Sequence, residues 1–180
     1  MNYLLFTIAL CSSFTTQNIT DASDKKARKK INQTIEDYFD LCQKGKYTKA
    51  VDYYYPDFVK AQGSQENFKK TMQETQKRSM EMINRCEMVV SYNFNREQIY
   101  DFQTVNKEQL TIVRAYSKYE SSKRTCVIAY SLVLISSDKG KTWKIIDTID
   151  DDADALLTTL HFLKQKGFTL EAFSSKANCT

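Results

Sequence analysis

At 180 residues and a formal net charge of +4, the chain is long enough to bury one core and too weakly basic for a nucleic-acid footprint. Four Gly and one Pro in that length point to long regular elements, and an apolar content of 42% excludes global disorder.

The first residues, MNYLLFTIALCSSFTT, set an apolar run from Leu4 to Leu10 ahead of small polar residues. That run is too short to cross a bilayer and suits the apolar centre of a signal peptide over residues 1–16, although no Lys or Arg precedes it. The expected location is secreted or periplasmic. A lipid anchor on Cys11 is the lesser alternative, because Leu10 is too large for the position before a lipidated cysteine in the usual lipoprotein signal. Loss of Cys11 leaves Cys42, Cys86, Cys126 and Cys179, with three pairings open and free thiols as the competing reading. No Cys-x-x-Cys pair occurs, so neither a zinc site nor a thioredoxin-type centre is indicated. Asn18-Ile19-Thr20, Asn32-Gln33-Thr34 and Asn178-Cys179-Thr180 fit the N-glycosylation pattern, which matters only in a eukaryotic secretory pathway.

Residues 17–30 read as a charged lead-in, and residues 31–167 as a single domain. The five basic residues of Asp21–Lys30 are the solvated start of a helix, with Ser23 or Asp24 as N-cap. Ile31, Ile35, Tyr38, Phe39 and Cys42 recur at helical spacing up to about Lys44, and Gly45 is a natural stop. Lys46–Tyr55 reads as a short second helix with Tyr47, Ala50, Val51 and Tyr54 inward. Pro56-Asp57-Phe58-Val59 follows as an extended connection. Ser64 opens a long third helix whose Phe68, Met72, Thr75, Ser79, Met82 and Cys86 form one stripe, read as core packing and not as a ligand-binding methionine set.

From Glu87 the period changes to that of strands: Val89–Phe94, Ile99–Val105, Leu110–Tyr119, Thr125–Ser136 and Thr142–Ile149. A last helix starts in the Asp150–Asp154 run and carries Leu156, Leu157, Leu160 and Leu163 to Gly167. Residues 168–180 read as an irregular tail. The acidic run answers to the helix macrodipole, since it lacks the Gly and distal Glu of a calcium loop. Helices followed by antiparallel strands make an α+β protein.

Ser136-Ser137-Asp138-Lys139-Gly140-Lys141-Thr142-Trp143 matches the Asp-box pattern of sialidase propellers at every fixed position. A single copy without internal repeat excludes a propeller, and the motif reads as a structural turn, not a glycan site. The wider layout resembles the nuclear transport factor 2-like superfamily. The resemblance rests on Lys44-Gly45-Lys46-Tyr47-Thr48-Lys49-Ala50, on Pro56-Asp57, and on the Trp143-Lys144-Ile145-Ile146 strand, and covers about residues 25 to 150. It implies N-terminal helices packed on a curved antiparallel sheet with a cone-shaped pocket between them. The extra C-terminal helix departs from the pattern. The superfamily holds small isomerases and dehydratases as well as non-catalytic binding and dimerisation domains, so the resemblance implies no reaction.

A hairpin pairing Ser137 with Lys141, and a turn pairing Tyr116 with Val127, would place Leu110, Ile112, Arg114, Tyr116, Val127, Ala129, Ser131, Val133, Trp143, Ile145 and Asp147 on one face. Val113, Ala115, Ile128, Tyr130, Leu132, Leu134 and Ile146 would take the other. Both faces are apolar and need cover, one from the early helices and the other from the last helix or from a homodimer through the sheet. Arg114, Tyr116, Ser131 and Asp147 are then the ligand-pocket candidates, with Arg114 and Asp147 orienting a small apolar or anionic ligand. A buried ion pair is the plainer alternative. His161, the single histidine, has no identifiable partner. The residues thus indicate a ligand-binding or protein-interaction domain with no catalytic residues, no metal and no cofactor. The alternative is a cofactor-independent isomerase- or dehydratase-like enzyme with Asp147 as base and Tyr116 or Tyr130 as donor.

Overall fold

The computed structural model describes residues 21–99, 102–148, 153–168 and 176–179. The signal-peptide segment, Cys11, the Asn18 sequon and Asp150–Asp152 lie outside them. The architecture is α+β, with N-terminal helices, a six-stranded antiparallel sheet and a C-terminal helix.

Helix α1 (Asp21–Gln43) already contains Ser23 and Asp24, so neither is its N-cap. Its apolar stripe is fully used: Ile31, Ile35, Tyr38, Phe39 and Cys42 are all buried. At ~1.5–3 kcal/mol per large buried side chain, this face is a main source of stability. The turn after the helix contains Gly45, whose φ of 65° lets the Gly45 and Lys46 amides bond back to the Cys42 and Leu41 carbonyls at 3.0 and 2.8 Å.

The second helical stretch is shorter than its pattern suggests. Helix α2 (Tyr47–Ala50) gives way to a 3-10 turn at Val51–Tyr53, and Tyr54 then bridges to Ile145 in the sheet. The expected extended connection at Pro56–Val59 is instead helix α3 (Pro56–Ala61). Proline excludes only the residue before it from the α region; at the first helical position its fixed φ and missing N–H cost nothing. Tyr55, with φ −66° and ψ 121°, takes the extended conformation.

Helix α4 (Gln65–Arg85) starts where expected, with Ser64 Oγ accepting from the Asn67 amide at 3.1 Å. Its stripe is not core, however. No residue of α4 is buried; Phe68, Met72 and Ser79 are half-buried, while Thr75, Met82 and Cys86 are exposed.

In the sheet, β1 (Val89–Ile99), β3 (Glu108–Glu120), β4 (Thr125–Ser136) and β5 (Lys144–Asp147) lie side by side in that order. Ile99 belongs to β1, and the next strand, β2 (Gln103–Val105), pairs with the start of β3. The two-residue β2–β3 turn uses Asn106 and Lys107 with φ of 51° and 71°, as the twist of a tight hairpin requires. Helix α5 (Ala153–Gln165) follows β5. The tail is not wholly irregular: β6 (Lys176–Cys179) pairs with Cys126–Ala129 of β4, next to the stretch taken by β5. A Cys126–Cys179 disulfide joins the two strands across 53 residues of sequence, leaving Cys42 buried and Cys86 exposed as thiols. A closure of that span contributes ~2–4 kcal/mol.

Each sheet face has its own cover. Phe39 stacks on Tyr92 and meets Phe94 edge-on, so α1 lies over the face that carries Phe94, Ala115, Tyr130 and Leu132. On the opposite face, Lys166 just beyond α5 reaches Glu108, and Gly167 abuts Val105. Phe162 of α5 packs edge-on against Tyr55 and Phe58. Leu110, Ile112, Val133, Ile135 and Ile146 on this side are buried.

Candidate functional site

The β4–β5 connection decides which side chains meet. Asp138 accepts from the Lys141 and Thr142 amides at 3.1 and 2.8 Å and from Thr142 Oγ1 at 2.7 Å. Ser136 Oγ donates to Asp138 at 2.8 Å and accepts from the Gly140 amide, also at 2.8 Å. Lys139 and Gly140 both have positive φ, and Trp143 folds inward against Phe102 with ring centroids 5.7 Å apart. This is the structural turn expected of an Asp-box. Burial pushes the Asp138 carboxyl up, but the bonds from Thr142, Ser136 and Lys141 together hold it below the usual carboxylate range.

The loop is longer than a three-residue turn. Ile135 pairs with Lys144, which leaves the eight residues Ser136–Trp143 between paired positions. Replacing an odd number of loop residues by an even one slips the register by one, and a one-residue slip exchanges the faces of β5. Asp147 therefore lies across from Leu132, not Ser131, and Ile145 moves with it, while Ile146 joins the opposite face. The β3–β4 turn differs by an even number: Glu120 pairs with Thr125, and Ser121 Oγ accepts from the Lys123 and Arg124 amides at 3.3 and 3.2 Å. Arg114 consequently faces Ser131, and Tyr116 faces Ala129, on the expected side of the sheet.

Arg114, Tyr116 and Ser131 thus share one face, with Ser131 buried and the other two half-buried. Asp147 sits on the other face, under the helices, and the Arg114–Asp147 pairing does not form across the sheet. The Ser131 carbonyl accepts from Thr148 Oγ1 at 2.7 Å.

Around Asp147 a different set gathers, assembled from three elements. Tyr38 of α1 donates to Asp147 Oδ2 at 2.8 Å, and its hydroxyl lies 3.0 Å from that of Tyr54. Tyr54 and Tyr55 run along β5, with the Tyr55 amide bonded to the Ile145 carbonyl at 2.9 Å, so Tyr54 turns to Tyr38 and Tyr55 turns to α5. Farther along the same face, the Tyr47 and Tyr92 hydroxyls are 3.0 Å apart, and Ser117 Oγ lies 3.4 Å from Tyr130 Oη. Burial first and the Asp147 charge second push the Tyr38 and Tyr130 phenols well above their ordinary range, and the Cys42 thiol up to about 12. Burial likewise raises Tyr92. These phenols are neutral donors at any physiological pH. Such donors can hold a carboxylate and orient its lone pairs. Tyr38 and Tyr54 escaped the sequence argument because their helical and turn positions were read only as apolar.

A second polar knot lies on the α5 side. Lys166 Nζ reaches Asp57 Oδ2 at 2.5 Å, Tyr55 Oη at 2.9 Å and Glu108 Oε2 at 3.4 Å. Tyr55 Oη also donates to Glu108 Oε1, which accepts from Ser137 Oγ at 2.9 Å. The Lys166 bond holds Asp57 below its usual range, and burial with the Glu108 bond pushes Tyr55 up to about 12. This knot ties α5 to α3, β3 and the Asp-box loop.

Among the described residues, surface hollows include two that open to solvent. One, of about 440 Å³, has Val51, Tyr54, Pro56 and Val59 among its lining, with Lys60 and Lys144 also contributing. The other, of about 420 Å³, lies between α1 and β1 and includes Lys25, Arg28, Lys29 and Arg96. Neither contains Arg114, Tyr116, Ser131 or Asp147, and the first touches the tyrosine cluster only through Tyr54. Among the described residues no group of three or more His, Cys, Asp or Glu side chains is placed to hold a metal. His161 is exposed on α5, 2.8 Å from Gln165. No described helix is long and apolar enough to cross a membrane.

The chain matches no protein-family model, and neither a curated protein nor a solved structure shows significant similarity to it.

Proposed function

We propose that this chain is an exported protein-interaction domain of the nuclear transport factor 2-like kind, with its helices over a curved, cone-shaped sheet and no catalytic role. The observation that supports this reading is the closure of its interior. Where such a fold would hold a ligand, Tyr38, Tyr54 and Asp147 bond to one another beneath a buried α1 face. A cavity occupied by the protein's own side chains leaves the exterior as the working surface. Met80, Met82 and Val89 cluster in sequence at the α4–β1 corner with 41%, 49% and 67% of their surface exposed. Exposed large apolar side chains of this kind are candidates for a partner surface.

Thermal-shift screening of residues 17–180 against drug-sized compounds tests the closed interior. The expected result is no stabilisation that depends on Asp147; a shift abolished by Asp147→Asn would establish an interior ligand site. In parallel, a photo-crosslinking residue at position 82 should capture one discrete protein partner in the exported fraction, while the same residue at Lys123 should not. Equal labelling at both positions would reject the α4–β1 corner as the partner surface.

A second reading is favoured by one specific contact chain. Tyr54 lines the 440 Å³ hollow and passes a hydrogen bond through Tyr38 to Asp147. A small isomerase- or dehydratase-like enzyme would use Asp147 as base and Tyr38 or Tyr130 as donor. Substrate turnover lost on Asp147→Asn with the fold intact would establish it over the interaction reading.

A further inference from the structure

We infer that β4 carries a latent strand-addition edge, Cys126–Ala129, which the Cys126–Cys179 disulfide keeps occupied by β6 and which a dithiol reductant opens to an extended antiparallel peptide. One long side of β4 is divided between two short strands: β5 takes Leu132–Ile135 and β6 takes Cys126–Ala129. The two are held very differently. Ile145 and Ile146 of β5 are fully buried, and the Asp-box pins its entry. Asn178 and Cys179 of β6 are exposed, and the strand has four residue pairs. The backbone entropy of ordering four residues rivals the small net return of so short a ladder, so the covalent link dominates the hold on β6.

The edge beneath β6 lacks the usual defences. Cys126-Val127-Ile128-Ala129 contains no charge and no proline, and its pairing with β3 is unbroken by any bulge. Residues of this type, freed on one side, present unpaired N–H and C=O groups in an uncharged, β-favouring frame, which is what strand addition recognises. The partner chemistry is therefore an extended segment that runs antiparallel to β4 in the register of Lys176–Cys179 of β6. This surface is separate from the α4–β1 corner and does not depend on it.

The opening step balances as ordinary thiol–disulfide exchange. A reductant thiolate attacks the exposed Cys179 sulfur, Cys126 leaves as thiolate, and the second thiol of the dithiol resolves the mixed disulfide, leaving two protein thiols and one oxidised dithiol. In an oxidising compartment the edge is closed; in a reducing one it is open.

Hydrogen exchange on the full mature chain, oxidised and dithiothreitol-reduced, tests the inference. The expected result is exchange at least tenfold faster over residues 126–129 and 176–179, with 132–135 unchanged. No acceleration at 126–129, or equal acceleration across the sheet, would overturn it. The second arm uses Cys179→Ser and a peptide of the β6 sequence whose cysteine carries a thionitrobenzoate leaving group. Capture at Cys126, read by mass spectrometry, should run at least tenfold faster than for a scrambled peptide; equal rates reject the strand-addition site. Loss of the cooperative unfolding transition in Cys179→Ser would also reject it, because the opening would then be global.

Discussion

Helices α1 and α4 make an instructive pair. They are 23 and 21 residues long, both are charged, and both carry a regular apolar stripe. In α1 the stripe includes Ile31 and Ile35 at 0% exposure, whereas α4 has no buried residue. Periodicity makes a helix able to be covered; it does not supply the cover. The sheet face under α1 offers Phe94, Tyr92 and Tyr130, while α4 is anchored mainly near its start, where Phe68 meets Tyr54 with centroids 5.0 Å apart.

The largest test of that contrast is a pair of truncations. Ile35→Ala should cost ~2–5 kcal/mol in denaturant unfolding, the range for opening a cavity in a packed core. Ile83→Ala on half-buried α4 should cost well under half of that. Equal losses would mean that α4 is covered in solution and that the contrast is false.

Next in size is Tyr38→Phe, which separates the apolar share of α1 from its polar share. It removes the donor to Asp147 and the neighbour of Tyr54 while keeping the ring, and should cost ~1–3 kcal/mol, the desolvation penalty of a buried group left short of a partner. A loss below ~0.5 kcal/mol would show that water replaces the phenol, and hence that the interior is open.

The pH limits follow from the shifted groups. Tyr38, Tyr55, Tyr92 and Tyr130 have raised folded-state values, so their contribution is complete below the ordinary phenol value of ~10 and is lost as pH rises through the folded values, about 12 for Tyr55. Absorbance titration should show these phenols ionising above the exposed ones, in step with unfolding for the buried Tyr38 and Tyr130. Asp57 and Asp138 have lowered values, so their contribution is complete above the ordinary carboxylate value of ~3.9 and is lost as pH falls through the folded values. A flat stability between pH 4 and pH 2 would contradict both networks.

The smallest effect is expected at Met82→Asp on the open half of α4, within ~0.5 kcal/mol of wild type in thermal unfolding. A larger loss would place Met82 against a partner or a second copy.

Most elements were legible because their signals are local. Ser64 as a cap, Gly45 as a stop and the strand runs of β3 and β4 need only neighbours within a few positions. Pro56 misled because its restriction acts on Tyr55, before it, and not on the residues after it. The site was less legible. Arg114, Tyr116 and Ser131 share a face as expected, since a four-residue turn keeps the parity of a two-residue one. Asp147 changed sides because the Asp-box spends eight residues, Ser136–Trp143, where a three-residue turn was expected.

From the amino acids alone come the α+β order of elements, the inward stripe of α1, the Asp-box turn and the two apolar faces of the sheet. All of these depend on spacing along the chain and on the stereochemistry of single residues. Tertiary structure alone decided that Tyr38, Tyr54 and Asp147 meet, that Cys126 pairs with Cys179, and that α4 stays largely uncovered. Those outcomes depend on register and on which surfaces face each other, and a shift of one residue or the presence of one neighbouring element reverses them without changing any local preference.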